Sequence, residues 1–276
     1  MAASHPRQIG RYEVFGELGH GGFGRVYRAY DPTVGRPVAL KVLSDVSNDM
    51  LTRFRNEAKV AGNLRHNSIV TVYEYGTHDG APFLAMEYLE GEDLHHVISS
   101  RRPLSLLDKC NIMSQVADGL LYAHNNGVIH RDMKPANIMV LRDGAVKIMD
   151  FGIARLTRTP DATRLTQEGY LIGTLRYMAP EQLASADFDA RSDIFAYGVI
   201  FYELLAGRHP FEAPDAQSLM YKLSFEEPAP IGMAAPEVPD PLQQVILKTL
   251  RKDRERRYQS LSEIKFDTEP IRIELQ

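Results

Sequence analysis

The chain has 276 residues, 44% of them hydrophobic, and carries a net charge of −4. This length and apolar content allow a full core in one or two lobes, and the weakly acidic balance argues against binding to nucleic acid or other polyanions. The single cysteine, Cys110, excludes an intramolecular disulfide framework and favours a reducing compartment. Its setting, LLDKCNIM, indicates a residue of a helix that faces the core.

Signals for secretion or membrane insertion are missing from the sequence. The first ten residues, MAASHPRQIG, contain no apolar stretch, and the longest apolar run, residues 194–207, is too short to span a bilayer and includes Glu203. We therefore expect a soluble, cytoplasmic segment without membrane contact. No internal repeat or low-complexity linker divides it.

The first pattern in chain order is a pair of strands around a glycine cluster. Residues 12–18 alternate in polarity, glycines follow at positions 19, 21, 22 and 24, and residues 26–30 resume a β pattern. Glycines let backbone N–H groups approach phosphate oxygens without a Cβ clash. Dinucleotide-binding folds also use GxGxxG, but there a helix follows the glycines, whereas here a strand follows.

A third strand and a helix come next. Residues 37–42 read PVALKV and place Lys41 inside a strand pattern. Residues 50–64 repeat apolar side chains at helical spacing, with Glu57 beside the apolar stripe. Two further strands, residues 69–75 and 82–88, complete a predicted five-stranded antiparallel sheet with one helix.

Helices dominate the rest of the chain. Ser105 and Asp108 form a capping box that opens a long helix ended by Gly127. Residues 191–206 are apolar almost all round, which predicts a central helix, and Asp193 is the exception that needs buried partners. Further helices are predicted near residues 215–225, 241–250 and 260–264.

The richest chemistry lies in residues 130–152. HRDMKPAN is followed by two apolar runs around the turn Arg142-Asp143-Gly144, and then by DFG. This hairpin should bring Asp132, Asn137 and Asp150 to one pocket. Together with Lys134 they form the set that phosphoryl transfer needs: an acceptor for a hydroxyl proton, a cation and oxygen ligands for Mg²⁺. An acidic surface loop would not require Lys134 and Asn137 at these offsets.

These motifs, together with VYRAYDPTVGRPVALKVL and GTLRYMAPEQ, resemble the protein kinase family, and in particular the bacterial eukaryotic-like (Hanks-type) Ser/Thr kinases. The resemblance covers about residues 9–262. It implies an α+β, bilobal kinase domain over residues 1–276, with an N-lobe at about 9–87, a hinge at about 87–93 and a mainly helical C-lobe at about 94–266. It also implies ATP and Mg²⁺, with Mn²⁺ as the alternative metal, and protein substrates.

The resemblance assigns roles to the motif residues. Asp132 would accept the hydroxyl proton, Lys134 would steady the γ-phosphate, and Asn137 and Asp150 would hold the metal. Lys41, fixed by Glu57, would orient the α- and β-phosphates. The other implied nucleotide-binding positions lie in the glycine flap, the strands and the hinge: Leu18, Gly19, Gly21, Gly24, Val26, Ala39, Met86, Glu87, Leu89, Asp93 and Met139.

Four of these positions have more specific implications. Met86 resembles the gatekeeper, and backbone groups of Glu87 and Leu89 would bond the adenine. Asp93 has two readings, contact with the ribose hydroxyls or the N-cap of the following helix. The residues alone leave both open.

The segment before Ala179-Pro180-Glu181 is rich in threonine, and the resemblance implies that it is an activation segment. Thr174 would dock the substrate against Asp132 and Lys134. Glu181 would pair with Arg257, and Asp193 would bond backbone amides of the 130–137 loop.

Charge suggests regulation. Arg131, Arg155 and Arg53 match the family's basic cluster, which repels itself until an anion such as phosphothreonine arrives. We expect Thr166 to be the phosphosite, although Glu168 occupies the family's second site. Thr157, Thr159 and Thr163 are expected to be ordinary solvated residues of the loop.

Two other functional classes deserve comparison. A pseudokinase or scaffold would bind partners without turnover, yet every motif residue is present. A small-molecule phosphotransferase, such as one that modifies aminoglycosides, would lack the segment that ends in Ala179-Pro180-Glu181. A homodimer formed back to back through the N-lobes is a hypothesis by analogy.

Overall fold

The computed structural model describes residues 6–21, 24–43, 48–151, 173, 175–184 and 189–276, and leaves out the side chains of residues 21, 48–50, 53 and 57. The chain divides into two compact units, Met1–Glu90 and Gly91–Gln276.

The first unit is built on an antiparallel sheet. Its strands are β1 (Gln8–Ile9), β2 (Tyr12–Gly21), β3 (Gly24–Asp31), β4 (Arg36–Leu43), β5 (Val72–His78) and β6 (Ala81–Glu87). They are hydrogen-bonded in the order β1-β2-β3-β4-β6-β5. The described sheet therefore has six strands and not the predicted five. The additional strand is β1, whose two residues pair with Tyr12 and Glu13 and are too few to show an alternating pattern in the sequence.

The two faces of this sheet carry different clusters. One face buries a mainly aromatic and aliphatic group, with Tyr12, Tyr27, Leu40 and Phe83 among its members. The other face carries Leu43 and Leu84, which pack with Phe54 of helix α1 (Asn48–Asn63). The predicted amphipathic helix is therefore present and covers one face of the sheet with its apolar stripe.

The second unit contains a small sheet beside its helices. Strands β7 (Gly91–Asp93), β8 (Ile138–Leu141) and β9 (Val146–Ile148) form an antiparallel sheet in that order. The predicted hairpin between β8 and β9 is confirmed. The N–H of Gly144 donates to the carbonyl of Leu141 at 3.0 Å, and the N–H of Leu141 donates to that of Ala145 at 2.8 Å.

The helices of the second unit follow in chain order. The described ones are α2 (Leu94–Ser99), α3 (Leu106–Asn125), α4 (Pro180–Ala184), α5 (Arg191–Ala206), α6 (Ala216–Phe225), α7 (Ile231–Ala234), α8 (Asp240–Thr249) and α9 (Leu261–Glu274), with 3₁₀ turns at Pro135–Asn137 and Arg254–Arg256. The capping box of α3 forms as predicted, because Ser105 accepts from the N–H of Asp108 while Asp108 accepts from that of Ser105. Cys110 is buried on this helix, as expected.

Helix α5 lies at the centre of the helical unit, as its sequence predicts. Nearly all its side chains are buried, and it packs against α3, α7 and α8. Its contact with α8 is close at Gly198, where an added Cβ would overlap the side chain of Thr249. It ends at Gly207, whose φ of 66° is left-handed.

Helix α9 is longer than predicted. The sequence suggests a helix near residues 260–264, but α9 continues to Glu274 and contains Pro270. Proline usually ends a helix. Here packing against α3 offsets that tendency, through an ion pair between Lys265 and Asp118 and a hydrogen bond from Arg272 to Asn111 at 3.1 Å.

Candidate active site

The glycine cluster lies where β2 and β3 meet. Gly19 is paired with Val26, and Gly21 with Gly24. Gly24 has a φ of 144°, and a Cβ at this position would overlap the carbonyl oxygen of Val42. Only glycine fits there, because the backbone of β3 approaches β4 so closely. Leu18, at the end of the same region, is half exposed.

Strand register brings four of the predicted nucleotide-binding residues to one face of the sheet. Lys41 is paired with Val26 and Leu84, and Ala39 is paired with Met86. Directly paired residues of an antiparallel sheet point to the same face, as do residues two apart in a strand. Val26, Ala39, Lys41 and Met86 therefore share the face that α1 covers.

Lys41 is buried on this face, with 9% of its surface exposed. A lysine at such a position needs polar partners, since burying an unpaired ammonium group is costly. Glu57, the predicted partner, belongs to α1, which packs on the same face, but its side chain lies outside the described part of the chain. The side chain of Arg53, on the same helix, is likewise outside it.

At the end of β6, the N–H of Glu87 donates to the carbonyl of Thr71 at 2.9 Å. Because this N–H is already hydrogen-bonded to Thr71, a backbone contact from Glu87 to adenine would have to come from its carbonyl. Leu89 follows the strand and is partly buried.

In the second unit, Asp93 is paired across the small sheet with Met139. The side chain of Asp93 accepts from the N–H of His96 at 2.8 Å and caps helix α2. One carboxylate oxygen of Asp93 therefore caps helix α2. This is the second of the two interpretations that the sequence allows.

The 130–137 loop brings three predicted residues together. The Nζ of Lys134 lies 2.8 Å from the Oδ2 of Asp132. The Nδ2 of Asn137 donates to the main-chain carbonyl of Asp132 at 2.8 Å. The side-chain amide of Asn137 is 5% exposed and held in one orientation by this bond, which turns its oxygen away from the Asp132 carbonyl.

A backbone hydrogen bond links this loop to the DFG region. The N–H of Met149 donates to the carbonyl of Asn137 at 2.8 Å, so Asp150 directly follows a residue bonded to Asn137. Asp150 has a φ of 51°, in the left-handed region that is uncommon for residues other than glycine. Such strain is concentrated at functional sites.

His130 joins the same two segments. Its Nδ1 accepts from the N–H of Asp132 at 3.3 Å, and its Nε2 lies 2.9 Å from the carbonyl of Met149. Its ring packs on Phe151, with the centroids 4.7 Å apart. His130 was not among the predicted site residues, although its place in the HRD motif could have indicated it.

Asp193 anchors the loop from helix α5. Its Oδ2 accepts from the N–H of His130 at 2.8 Å and its Oδ1 from the N–H of Arg131 at 2.9 Å. The Nε2 of His124, at the end of α3, is 2.8 Å from Oδ2. Burial alone would raise the pKa of Asp193, but the His124 hydrogen bond and the charges nearby outweigh it and hold the pKa below its ordinary value.

A second carboxylate, with only 12% of its side chain exposed, lies in helix α4. Both oxygens of Glu181 accept from Arg257, at 2.7 and 2.8 Å, and Oε1 also accepts from the hydroxyl of Ser192. Burial opposes ionisation here as well, yet the Arg257 hydrogen bonds hold the pKa of Glu181 below its usual range. Ser192 precedes Asp193 in the chain, so this pair adjoins the anchor of the 130–137 loop.

The donor set fits a hard divalent cation. Asn137 supplies an amide oxygen whose direction is fixed, and Asp150 supplies a carboxylate one residue beyond a hydrogen bond to Asn137. Mg²⁺ and Mn²⁺ prefer oxygen ligands of this kind. Three predicted residues, Arg155, Thr166 and Thr174, lie outside the described part of the chain.

A family model described as "Protein kinase domain" matches residues 12–266. The chain belongs to the protein kinase family. The sheet of the first unit and the mainly helical second unit agree with the α+β kinase fold that the sequence predicts.

Bacterial kinases are among the relatives of this kinase domain. A probable serine/threonine-protein kinase of Streptomyces coelicolor is 40% identical over 272 residues, which cover 96% of this chain and 40% of that protein. PknB of Mycobacterium leprae is 39% identical over 269 residues, covering 95% and 43% respectively. PrkC of Bacillus subtilis is 36% identical over 264 residues, covering 95% and 40%. The chain thus spans about two fifths of the length of these relatives.

Among the residues described, no helix is both long enough and apolar enough to cross a bilayer.

Proposed function

We propose that this kinase domain transfers the γ-phosphate of ATP to serine and threonine hydroxyls of proteins. The observation that carries the proposal is the 130–137 loop, in which Asp132, Lys134 and Asn137 are in mutual contact and a backbone hydrogen bond joins Asn137 to the residue before Asp150. The names of the bacterial relatives, all serine/threonine-protein kinases, support the same substrate class.

In the proposed mechanism Asp132 orients the substrate hydroxyl and accepts its proton. The ammonium of Lys134, 2.8 Å from the Asp132 carboxylate, is near enough to stabilise charge that develops on the transferring phosphoryl group. Little covalent chemistry falls to the protein, so most of the rate acceleration comes from positioning and from fixed charges.

Asn137 and Asp150 are the residues that would hold Mg²⁺, with Mn²⁺ as the alternative. The ion, when bound, neutralises charge on the phosphates. The protein's part is to keep the amide oxygen of Asn137 pointing in one direction, which the hydrogen bond from its Nδ2 to Asp132 does.

Residues of the first unit would bind the nucleotide. The backbone around Gly19, Gly21 and Gly24 would approach the phosphates, and Lys41, oriented by Glu57, would bond the α- and β-phosphates. Val26, Ala39 and Met86 share a sheet face with Lys41, which supports a joint role in binding. The same proposal assigns Leu18, Leu89, Asp93 and Met139 to the base and ribose, and treats the two units as N- and C-lobes of one domain joined at residues 87–93.

Regulation would act through residues 150–181. We propose that the enzyme phosphorylates itself at Thr166, and that Arg131, Arg155 and Arg53 receive the phosphate. Thr174 would dock substrate beside Asp132. A cytoplasmic location for this segment is supported by the use of ATP and by the buried, unbridged Cys110.

The transfer activity is tested by incubating the purified domain with labelled ATP, Mg²⁺ and casein, with kanamycin offered in parallel. We expect label on casein, and acid hydrolysis of casein should release phosphoserine and phosphothreonine. Label on kanamycin alone would point to a small-molecule phosphotransferase. Nucleotide binding without any labelling would favour a scaffold.

Self-phosphorylation is tested on domain first stripped by a phosphatase. After incubation with ATP and Mg²⁺, intact mass and peptide mapping should locate phosphate on Thr166, and Thr166→Ala should remove it. Phosphate that maps elsewhere and is unchanged in Thr166→Ala would overturn this assignment.

The N-lobe homodimer is supported only by analogy with the family. Light scattering at high protein concentration tests it, and a strictly monomeric mass would exclude it.

A further inference from the structure

Arg131, the residue before the proposed catalytic base, has an unusual backbone conformation. Its φ of 70° is left-handed, although it is neither glycine nor asparagine. A residue persists in this region only where surrounding contacts hold it. On its amide side, the contact is the carboxylate of Asp193, which accepts the Arg131 N–H at 2.9 Å.

On the carbonyl side, the contact is Gln182. The Nε2 of Gln182 donates to the carbonyl oxygen of Arg131 at 3.2 Å. The other end of the same peptide group is the N–H of Asp132, which donates to the Nδ1 of His130 at 3.3 Å. The peptide plane directly before Asp132 is thus held at both ends, and this plane sets the direction in which the Asp132 side chain leaves the backbone.

Gln182 also takes part in the first turn of helix α4. Its Oε1 accepts from the N–H of Ala179 at 3.0 Å, while its own N–H donates to the Ala179 carbonyl at 3.0 Å. This is the reach-back half of a capping box, in which glutamine and glutamate serve equally well. Capping alone would therefore not require an amide at this position.

The second hydrogen bond does require one. Only an amide side chain can accept from Ala179 and donate to Arg131 at the same time, because a carboxylate at this position has no hydrogen to donate. The cavity lined by Arg131, Asp132 and Gln182 measures about 10 Å³, which is at the lower limit for one water molecule.

We infer that Gln182 is a positioning residue for Asp132, tying the first turn of α4 to the 130–137 loop. The inference rests on the proposed phosphotransfer and deepens it. It also makes the orientation of the proposed base depend on the segment that follows Thr174, because that segment carries Gln182.

The decisive variant is Gln182→Glu, which keeps the shape and the cap but loses the donor. We expect kcat for casein phosphorylation to fall by about tenfold or more, while KM for ATP and the affinity for a non-hydrolysable nucleotide stay within about twofold of wild type. Gln244→Glu, the same change at an exposed position of α8, is the matched control and should leave kcat unaltered. A wild-type kcat in Gln182→Glu would overturn the inference, because capping would then explain the residue fully.

If thermal denaturation shows that Gln182→Glu does not fold, Gln182→Met is tested instead. Methionine has a similar length but can form neither of the two side-chain hydrogen bonds of Gln182. A wild-type kcat in a folded Gln182→Met would equally overturn the inference. Failure of the proposed function is distinguishable, because in that case the wild-type domain itself would not label casein.

Discussion

The guanidinium of Arg257 is fully buried, and each of its five N–H groups has an acceptor. Two donate to Glu181, and the other three donate to the carbonyls of Arg251, Arg191 and Lys252 at 2.6, 3.2 and 3.0 Å. Arginine presents five donors in a fixed planar fork. The pocket around this side chain therefore matches arginine and no other residue.

Arg257→Met should destabilise the domain by about 3–5 kcal/mol, because it leaves the Glu181 carboxylate buried without its partner. Arg256→Met makes the same change one residue earlier, where the side chain is 80% exposed and lies 3.7 Å from Asp253. Exposed pairs of this kind contribute about 0–1 kcal/mol. Urea denaturation of both variants measures the difference, and equal losses of stability would contradict the role given to the buried pair.

His209 predicts a dependence of stability on pH. Its Nδ1 accepts from the N–H of Phe211 at 3.1 Å, while its Nε2 donates to the carbonyl of Arg176 at 2.9 Å. Protonation of Nδ1 would break the first bond and place a charge in a buried site. Burial, assisted by the charge of Arg176, lowers the pKa of His209 to about 4.

Because the unfolded state has the higher pKa for this histidine, near 6.5, it binds more protons than the folded state between pH 6.5 and 4. The stabilisation contributed by neutral His209 should be fully present above pH 6.5. As the pH falls below that value, the free energy of unfolding should decrease, by about 2 kcal/mol at pH 5. Denaturation of wild type and His209→Gln at pH 7 and pH 5 tests this. A loss of the same size in both proteins would assign the pH dependence to other groups.

Helices α5 and α8 pack closely together at Gly198. An added Cβ would overlap the side chain of Thr249, which is itself buried. Overpacking of this kind costs typically about 1–3 kcal/mol. Gly198→Ala should therefore lower the free energy of unfolding, even though alanine is the better helix former.

Gly62 of α1 supplies the control, since an added Cβ there meets nothing within 4 Å. Gly62→Ala should be neutral or stabilising by up to about 1 kcal/mol. Thermal unfolding of the two variants separates helix propensity from packing. If Gly198→Ala proved as stable as Gly62→Ala, the close approach of α5 and α8 would not limit side-chain size.

Most helices and strands could be predicted from the sequence, because their apolar residues recur with a clear period. The hairpin after the HRD motif, the capping box of α3 and the apolar helix α5 all follow from local patterns. Strand β1 and the second half of α9 do not. A two-residue strand has no period to detect, and the extension past Pro270 depends on packing against α3.

For the whole molecule, the proximity of Asp132, Lys134 and Asn137 could be predicted because they lie in one short motif. The contacts of His124 and Gln182 could not be predicted, since these residues reach Asp193 and Arg131 across 69 and 51 residues of sequence. A glutamine three residues after Ala179 is a capping signal, but its second hydrogen bond has no counterpart in any local pattern. The left-handed backbone of Arg131 is equally hard to predict, because arginine does not favour it.

We expect the whole domain to be a phosphotransferase whose rate depends on the carboxylate of Asp132. The most direct measurement compares wild type with Asp132→Asn, by casein phosphorylation under saturating ATP and Mg²⁺ and by calorimetric binding of a non-hydrolysable ATP analogue. Asparagine preserves the shape of the side chain but cannot accept the proton, so kcat should fall by about 10²–10⁴ while nucleotide affinity is retained. An Asp132→Asn variant that phosphorylates casein at the wild-type rate would show that the Asp132 carboxylate does not accept the proton.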